Sequence, residues 1–452
     1  EEAVYGHVAK FLQPAFNKEN KTKRNAPFTE DLTFDQLRSI LTRNVRQSER
    51  YRSMRANGMS DSEIRKAFNR PVDMTIFTYH GDIDTVMTPM DSIKYYKSFL
   101  RAGFMSMEPK NGAVKAYVGG LDYNHFMYDM VTGGRRQVGS TIKPFLYALA
   151  MENGFSPCDK APNRQQTYIV AGQPWTPRNA SHARYGQMVT LKWGLAQSNN
   201  WISAYLMSKL NPSQFVSTLH EFGINNPDIH PSMSLCLGPC DVSVEEMVSA
   251  YTTFANHGIR TSPMFVTKIE DNEGNVISTF QPRMNEVISA ESANKMLVLL
   301  QGVIDGGTGG RIRYKYHLEG EIGGKTGTTN KNSDAWFMGF TPQLVSGVWV
   351  GGEDRDIHFD NMSMGQGATM ALPIWAYFMR KVYRDVTLGY KLPKFGGVDI
   401  SIYAFARNVL LWSKMPNLDP ESSQGNGNMG GYFERFSVPN TSSFGGGFKL
   451  TF

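Results

Sequence analysis

Cysteine is scarce in this chain of 452 residues. Only Cys158, Cys236 and Cys240 occur. Neither they nor the nine histidines fall at zinc-ligand spacing, so no metal and no cofactor are expected. Cys236-Leu-Gly-Pro-Cys240 leaves two readings open, a disulfide closed across the Gly-Pro turn or two buried free thiols. Long apolar runs are also missing. None approaches the roughly 18 residues that a membrane span needs, and no secretory leader heads the chain, which opens on Glu1-Glu-Ala-Val without a Met. The expectation is a piece of a longer protein whose absent segment holds any membrane anchor. Charge of one sign is modest too. A net charge of +6 suits an acidic, polymeric or membrane-surface neighbourhood and does not argue for nucleic acid. The basic residues are dispersed apart from Lys21-Thr-Lys23-Arg24, which reads as a solvated loop.

What is present is a globular composition, 41% hydrophobic and 12% aromatic, in a chain long enough for two or three units. Residues 1–97 are polar, charged and helical in pattern. Phe34, Leu37, Ile40 and Leu41 mark one helix, and Ser60-Asp-Ser-Glu63 is a capping box opening another. No catalytic constellation occurs there, so this part reads as a linker or pedestal, ending in a connecting helix over residues 90–100. Residues 98–390 form the second unit. Phe104 to Val118 reads as a β-hairpin around Asn111-Gly112. Residues 155–186 are rich in loops, Val189 to Leu206 is helical, and Val242 to His257 is an amphipathic helix ended by Gly258. Gly324–Thr328, Ala335–Phe340 and Val345–Val350 are three short strands whose closeness requires antiparallel pairing. Strands at both ends with helices between them imply an α+β class, a sheet covered by helices. In residues 391–452 Gly, Ser and Asn rise (Ser422 to Gly431, Gly445 to Gly447), the pattern of a tail of loop or weak strand.

The chemistry concentrates in three short motifs. Arg136-Gln-Val-Gly-Ser140-Thr-Ile-Lys143-Pro sets a serine three residues before a lysine at the start of an apolar helical run. At that spacing both share a helix face, and a desolvated lysine can take the proton that makes a serine nucleophilic. Alone the pair is weak evidence, and Ser292-Ala-Asn294-Lys295 repeats it as a decoy in a stretch that reads as an amphipathic surface helix with no preceding glycine. Context separates them. Ala196-Gln-Ser198-Asn-Asn200 follows Ser140 as a Ser-x-Asn, and Gly323-Gly-Lys325-Thr326-Gly327-Thr328 contains the chain's one Lys-Thr-Gly. Each triplet is cheap, whereas the ordered set is not.

The ordered set, with Gly119-Gly120, Val189 to Asn200, Glu246 to Asn256, Gly323 to Thr329 and Asp334 to Pro342, resembles the transpeptidase part of class A (bifunctional) penicillin-binding proteins over about residues 98–385. Ser-Asn-Asn is a minor departure where the family often has Leu or Val in the middle. Residues 1–97 resemble the region between the two catalytic domains of such proteins, and the glycosyltransferase domain that would precede them is expected outside this sequence. The resemblance implies the penicillin-binding/serine β-lactamase-like fold, with an antiparallel five-stranded sheet. It makes Ser140 the nucleophile on a D-Ala-D-Ala carbonyl, Lys143 its general base and Ser198 the proton relay to the leaving D-Ala. Asn200 would bind the donor peptide backbone and help to hold Lys143. Lys325 with the Thr326 and Thr328 hydroxyls would bind the terminal carboxylate, and Gly327 would let substrate approach the strand edge. The backbone N–H groups of Ser140 and Thr328 would form the oxyanion hole. Implied partners are peptidoglycan stem peptides and β-lactam antibiotics, on the periplasmic side of a membrane that anchors the parent protein. Protein partners are not specified.

A serine β-lactamase shares all three motifs but needs a base that activates water. The Glu of a Glu-x-x-Leu-Asn arrangement is replaced here by Met207 ahead of Leu210-Asn211. A D,D-carboxypeptidase would carry the same groups and pass the acyl chain to water. A β-lactam sensor would be a shorter chain, and a non-enzymatic peptidoglycan-binding scaffold would not need the full set of groups.

Overall fold

The computed structural model describes residues 1–170, 172–391, 394–395, 399–407 and 443–451. They form two compact units, Glu1–Lys394 and Phe395–Phe452. The first unit begins with α1 (Glu2–His7) and α2 (Gln13–Asn20), joined by a π-helical turn over Val8–Leu12. Three polar helices follow: α3 (Phe34–Gln47), α4 (Glu49–Ala56) and α5 (Asp61–Phe68). Capping boxes start α3 and α5. Gln36 returns its side chain to Thr33 N at 2.9 Å, and Glu63 returns its own to Ser60 N at 2.8 Å. A hairpin, β1 (Val72–Ile76) and β2 (Ile83–Met87), leads to α6 (Pro89–Lys97).

The main sheet takes its strands from distant parts of the chain. β3 (Arg101–Met107) and β4 (Val114–Val118) form the expected hairpin. The long insertion that follows carries α7 (Lys143–Glu152), α8 (Leu191–Ala196), α9 (Asn200–Lys209), α10 (Val244–Ala255) and α11 (Ala290–Gly306). The sheet is then completed by β5 (Gly323–Thr328), β6 (Asp334–Phe340) and β7 (Val345–Gly351), and α12 (Leu372–Arg384) closes over it. The strand order is β5-β6-β7-β3-β4, antiparallel throughout.

Every residue of β3, β6 and β7 is buried, as expected for strands covered on both faces. The two-residue period sorts their side chains. Phe337 faces Trp375 of α12 with ring centroids 5.5 Å apart, and Phe104 meets Phe378 at 4.8 Å. Phe340 turns the other way, towards Tyr251 of α10 at 6.5 Å. The α12 side also takes in Val4, Val8, Leu12 and Phe16, which join Phe104, Phe337 and Trp375 in one cluster. The polar start of the chain is thus a core element of the sheet, and the signal is four apolar residues spaced by four along a helical run.

Residues 1–97 are not helical throughout, since the β1–β2 hairpin lies within them, and a second departure from the sequence pattern falls in the long insertion. Val189 to Leu206 is two helices, because Asn199 accepts hydrogen bonds from Trp201 N and Ile202 N and so starts α9 afresh. Ser198 sits in the break with φ 51°. In the second unit β8 (Asp399–Arg407) pairs antiparallel with β9 (Ser443–Thr451), which contains Gly445 to Gly447. The Ser422 to Gly431 stretch lies outside the described residues.

Candidate active site

Ser140 lies in a 3₁₀ turn, Gly139–Ile142, that runs into α7 at Lys143. Gly139 has φ 53°, and a Cβ there would come 2.9 Å from Thr328 O. The absence of a side chain therefore brings the serine turn against the end of β5. Gly327 serves the same contact: a Cβ on it would lie 2.8 Å from Thr141 and 2.9 Å from Val138 O. The space that a side chain on Gly327 would fill is taken by Thr141, Val138 and Trp336. Behind the turn, Arg136 Nε donates to the fully buried Asp334 at 2.7 Å, and Trp349 Nε1 donates to the same oxygen at 3.0 Å. This ion pair ties the segment before Ser140 to β6.

Lys143 and Lys325 are both completely buried, and the Ser198 hydroxyl stands between them. Lys325 Nζ donates to Ser198 Oγ at 2.8 Å and to Thr326 O at 2.8 Å. Lys143 Nζ donates to Asn200 Oδ1 and to Ser198 O, both at 2.6 Å, and reaches Ser198 Oγ at 3.4 Å. Among the described residues Nζ makes no hydrogen bond to the Ser140 hydroxyl, which stays partly accessible. Burial lowers Lys143 from its ordinary 10.5 to about 7. Lys325 is pushed well below the lysine range by burial first and by the neighbouring Lys143 charge second. Among the described residues no carboxylate hydrogen-bonds to either lysine. The cluster can shed a proton at neutral pH and holds an amine ready as a base.

Asn200 is itself braced. Its Nδ2 donates to Arg178 O at 2.7 Å, and its backbone N–H to Asn179 Oδ1 at 2.9 Å. One amide hydrogen remains for a ligand beyond the one given to Arg178. Thr326 Oγ1 bonds Thr308 Oγ1 at 2.7 Å, and Thr328 Oγ1 accepts from Gly367 N at 3.0 Å. Asn179, Arg178 and Thr308 carry no local motif that marks them as parts of a site. Cys236 and Cys240 are free thiols, so the disulfide alternative is not realised. Cys236 belongs to a 3₁₀ turn, Met233–Leu237, whereas Cys240 lies beyond left-handed Gly238, at the strand that pairs with Arg136–Gln137. Burial pushes both thiols up to about 12, so Cys236 gives Lys143 no counter-charge at neutral pH. The decoy Ser292 is in the first turn of α11, where its N–H is capped by Ser289 at 3.2 Å, and Lys295 pairs with Glu291. Among the described residues no group of three or more His, Cys, Asp and Glu is placed to hold a metal.

The family model for the penicillin-binding protein transpeptidase domain matches residues 102–353, and the one for the penicillin-binding protein middle domain matches residues 23–100. The chain belongs to the penicillin-binding protein transpeptidase family. It is 34% identical over 294 residues to penicillin-binding protein 1A of Neisseria lactamica, covering 62% of this chain and 36% of that protein. Against penicillin-binding protein 1A of Aquifex aeolicus the figures are 33% over 287 residues, 63% and 38%. The chain therefore spans less than two fifths of the length of these relatives. The crystal structure of penicillin-binding protein 1A from Haemophilus influenzae shares the fold with a TM-score of 0.62 at 24% identity, over 85% of this chain and 64% of that one. The PonA1 protein of Mycobacterium tuberculosis in complex with penicillin V gives a TM-score of 0.56 at 23% identity, over 80% and 96%. The fold is thus the α+β penicillin-binding transpeptidase fold. Among the described residues no helix is long and apolar enough to cross a membrane.

Proposed function

We propose that this chain is the D,D-transpeptidase part of a bifunctional penicillin-binding protein, cross-linking peptidoglycan stem peptides on the periplasmic side of the membrane. The observation that carries the reading is the Ser198 hydroxyl held between two buried lysines, in contact with both. Ser140 Oγ attacks the carbonyl of the penultimate D-Ala while Lys143, as free amine, takes its proton. The C–N bond to the terminal D-Ala breaks, Ser198 passes a proton to the departing amine, and the peptide remains as an ester on Ser140. An acceptor amine then attacks the ester, forms the new amide and returns the proton to the serine. The N–H groups of Ser140 and Thr328 stabilise the oxyanion, at about 3 kcal/mol each.

The arriving carboxylate binds Lys325 with the hydroxyls of Thr326 and Thr328. A negative charge beside Lys325 favours its protonated form and leaves Lys143 neutral, so donor capture also sets up the base. Met207, which replaces the Glu of a Glu-x-x-Leu-Asn pattern, is a fully buried apolar residue of α9 and offers no water-activating carboxylate, in keeping with slow loss of a penicilloyl group. The part of residues 1–97 that follows α2 serves as the pedestal that joins this domain to the rest of the parent protein, while α1 and α2 belong to the core of the sheet.

The test is intact-mass spectrometry of the chain with benzylpenicillin, followed over hours. A single stable penicilloyl adduct in the wild type and none in Ser140→Ala is expected. An adduct lost within seconds, or one retained in Ser140→Ala, overturns the reading.

A further inference from the structure

The loop after α11 bridges the Ser-x-Asn turn and the Lys-Thr-Gly strand. Gln197 Nε2 donates to Gly306 O at 3.0 Å, and Thr308 N donates to Ala196 O at 3.0 Å. Both bonds hold the loop to the turn that carries Ser198. From the other side Thr326 Oγ1 bonds Thr308 Oγ1 at 2.7 Å. Thr326 is 7% exposed, and Thr308 is half-buried. One residue thus touches the Ser-x-Asn turn with its backbone and the Lys-Thr-Gly strand with its hydroxyl.

We infer that Thr308 is a positioning residue for the carboxylate site, its hydroxyl aiming that of Thr326 and raising the preference for anionic ligands. The inference rests on the reading that Thr326 meets the ligand carboxylate. A threonine hydroxyl has one proton and two lone pairs. Without ligand, Thr326 gives its proton to Thr308. When a carboxylate arrives, the Thr326 proton turns to it and Thr308 donates back to the Thr326 oxygen, so the pair keeps its hydrogen bond and gains one to the ligand. A hydroxyl that accepts a hydrogen bond is also a stronger donor, because chained bonds polarise one another. The loop is clipped by Thr308 N to Ala196 O and by Gly306 O to the Gln197 side chain, so replacing the Thr308 side chain leaves both bonds in place.

The test compares benzylpenicillin with its neutral methyl ester. Second-order acylation rates are read by intact mass on the wild type, Thr308→Val, Thr308→Ser and Thr326→Val, with a thermal melt of each. Thr308→Val is expected to lower the acid-to-ester rate ratio about fivefold, the loss of one hydrogen bond, by slowing the acid and leaving the ester rate unchanged. Thr308→Ser keeps the ratio within about twofold of wild type. In a Thr326→Val background, adding Thr308→Val changes the ratio no further. An unchanged ratio in Thr308→Val overturns the inference, as does an equal fall with both ligands, the mark of a loosened fold. A Thr308→Ser variant as impaired as Thr308→Val, although it keeps the hydroxyl, would assign the effect to packing at this position and overturn the inference too. Failure of the wild type to be acylated at all is a different result and sinks the transpeptidase reading beneath.

Discussion

Lys143 shows how one side chain couples stability to chemistry. Its folded value is about 7 and its ordinary value 10.5. Below about 7 folded and unfolded chains both carry the proton, and above 10.5 neither does. Between these limits only the unfolded chain takes the proton up, so folding stability falls as pH drops from 10.5 to about 7. Lys143→Met removes that slope. In thermal melts from pH 7 to pH 9.5 the wild type should gain about 3–5 °C on the variant. The unmet acceptors on Asn200 and Ser198 add only a constant offset. The same group sets the expected rate profile: acylation by benzylpenicillin should climb as pH rises through about 7 and then level, whereas a rate that is flat from pH 6 to 8 excludes Lys143 as the base. Asp334 is the structural counterpart. Asp334→Ala leaves Arg136 unpaired in a buried setting and should cost about 3–5 kcal/mol in urea unfolding.

At the scale of elements, the site depends on turns more than on helices. The serine turn and the end of β5 approach so closely that Gly139 has room for hydrogen alone on its α-carbon. Gly139→Ala must adopt φ 53° and push Thr328 O away, so acylation should fall by about tenfold or more, measured per folded molecule. A variant that reacts like wild type would show that the two segments need not touch. The break between α8 and α9 was legible in principle. Ser198-Asn199-Asn200 is a run of capping residues, but Val189 to Leu206 keeps enough apolar residues to read as continuous. By contrast the capping boxes of α3 and α5 are local, and both helices form where the sequence places them.

Across the first unit, α1 and α2 share a core with β3, β6, β7 and α12. Phe16→Ala should cost about 3–5 kcal/mol and lower a single melting transition, because Phe16 is fully buried against Phe359 with ring centroids 5.1 Å apart. An early, separate transition in calorimetry would mean that the N-terminal helices melt alone. The four-residue spacing of Val4, Val8, Leu12 and Phe16 announces an apolar helix face but not its partners, which lie from about 85 to over 350 residues further along the chain.

The primary structure alone determined most of the elements around the site, the order of the three motifs and the serine-lysine spacing, because caps, periodicity and motif spacing act over a few residues. It also determined the family, through those motifs. Only the tertiary structure decided that Ser198 lies between two lysines, that Asn200 leans on Arg178 and Asn179, and that Thr308 faces Thr326. It likewise decided that both lysines are buried, with no carboxylate bonded to either among the described residues, and are therefore poised to lose a proton. Desolvation and hydrogen bonding depend on what the whole fold brings within a few ångströms, and no local pattern encodes that.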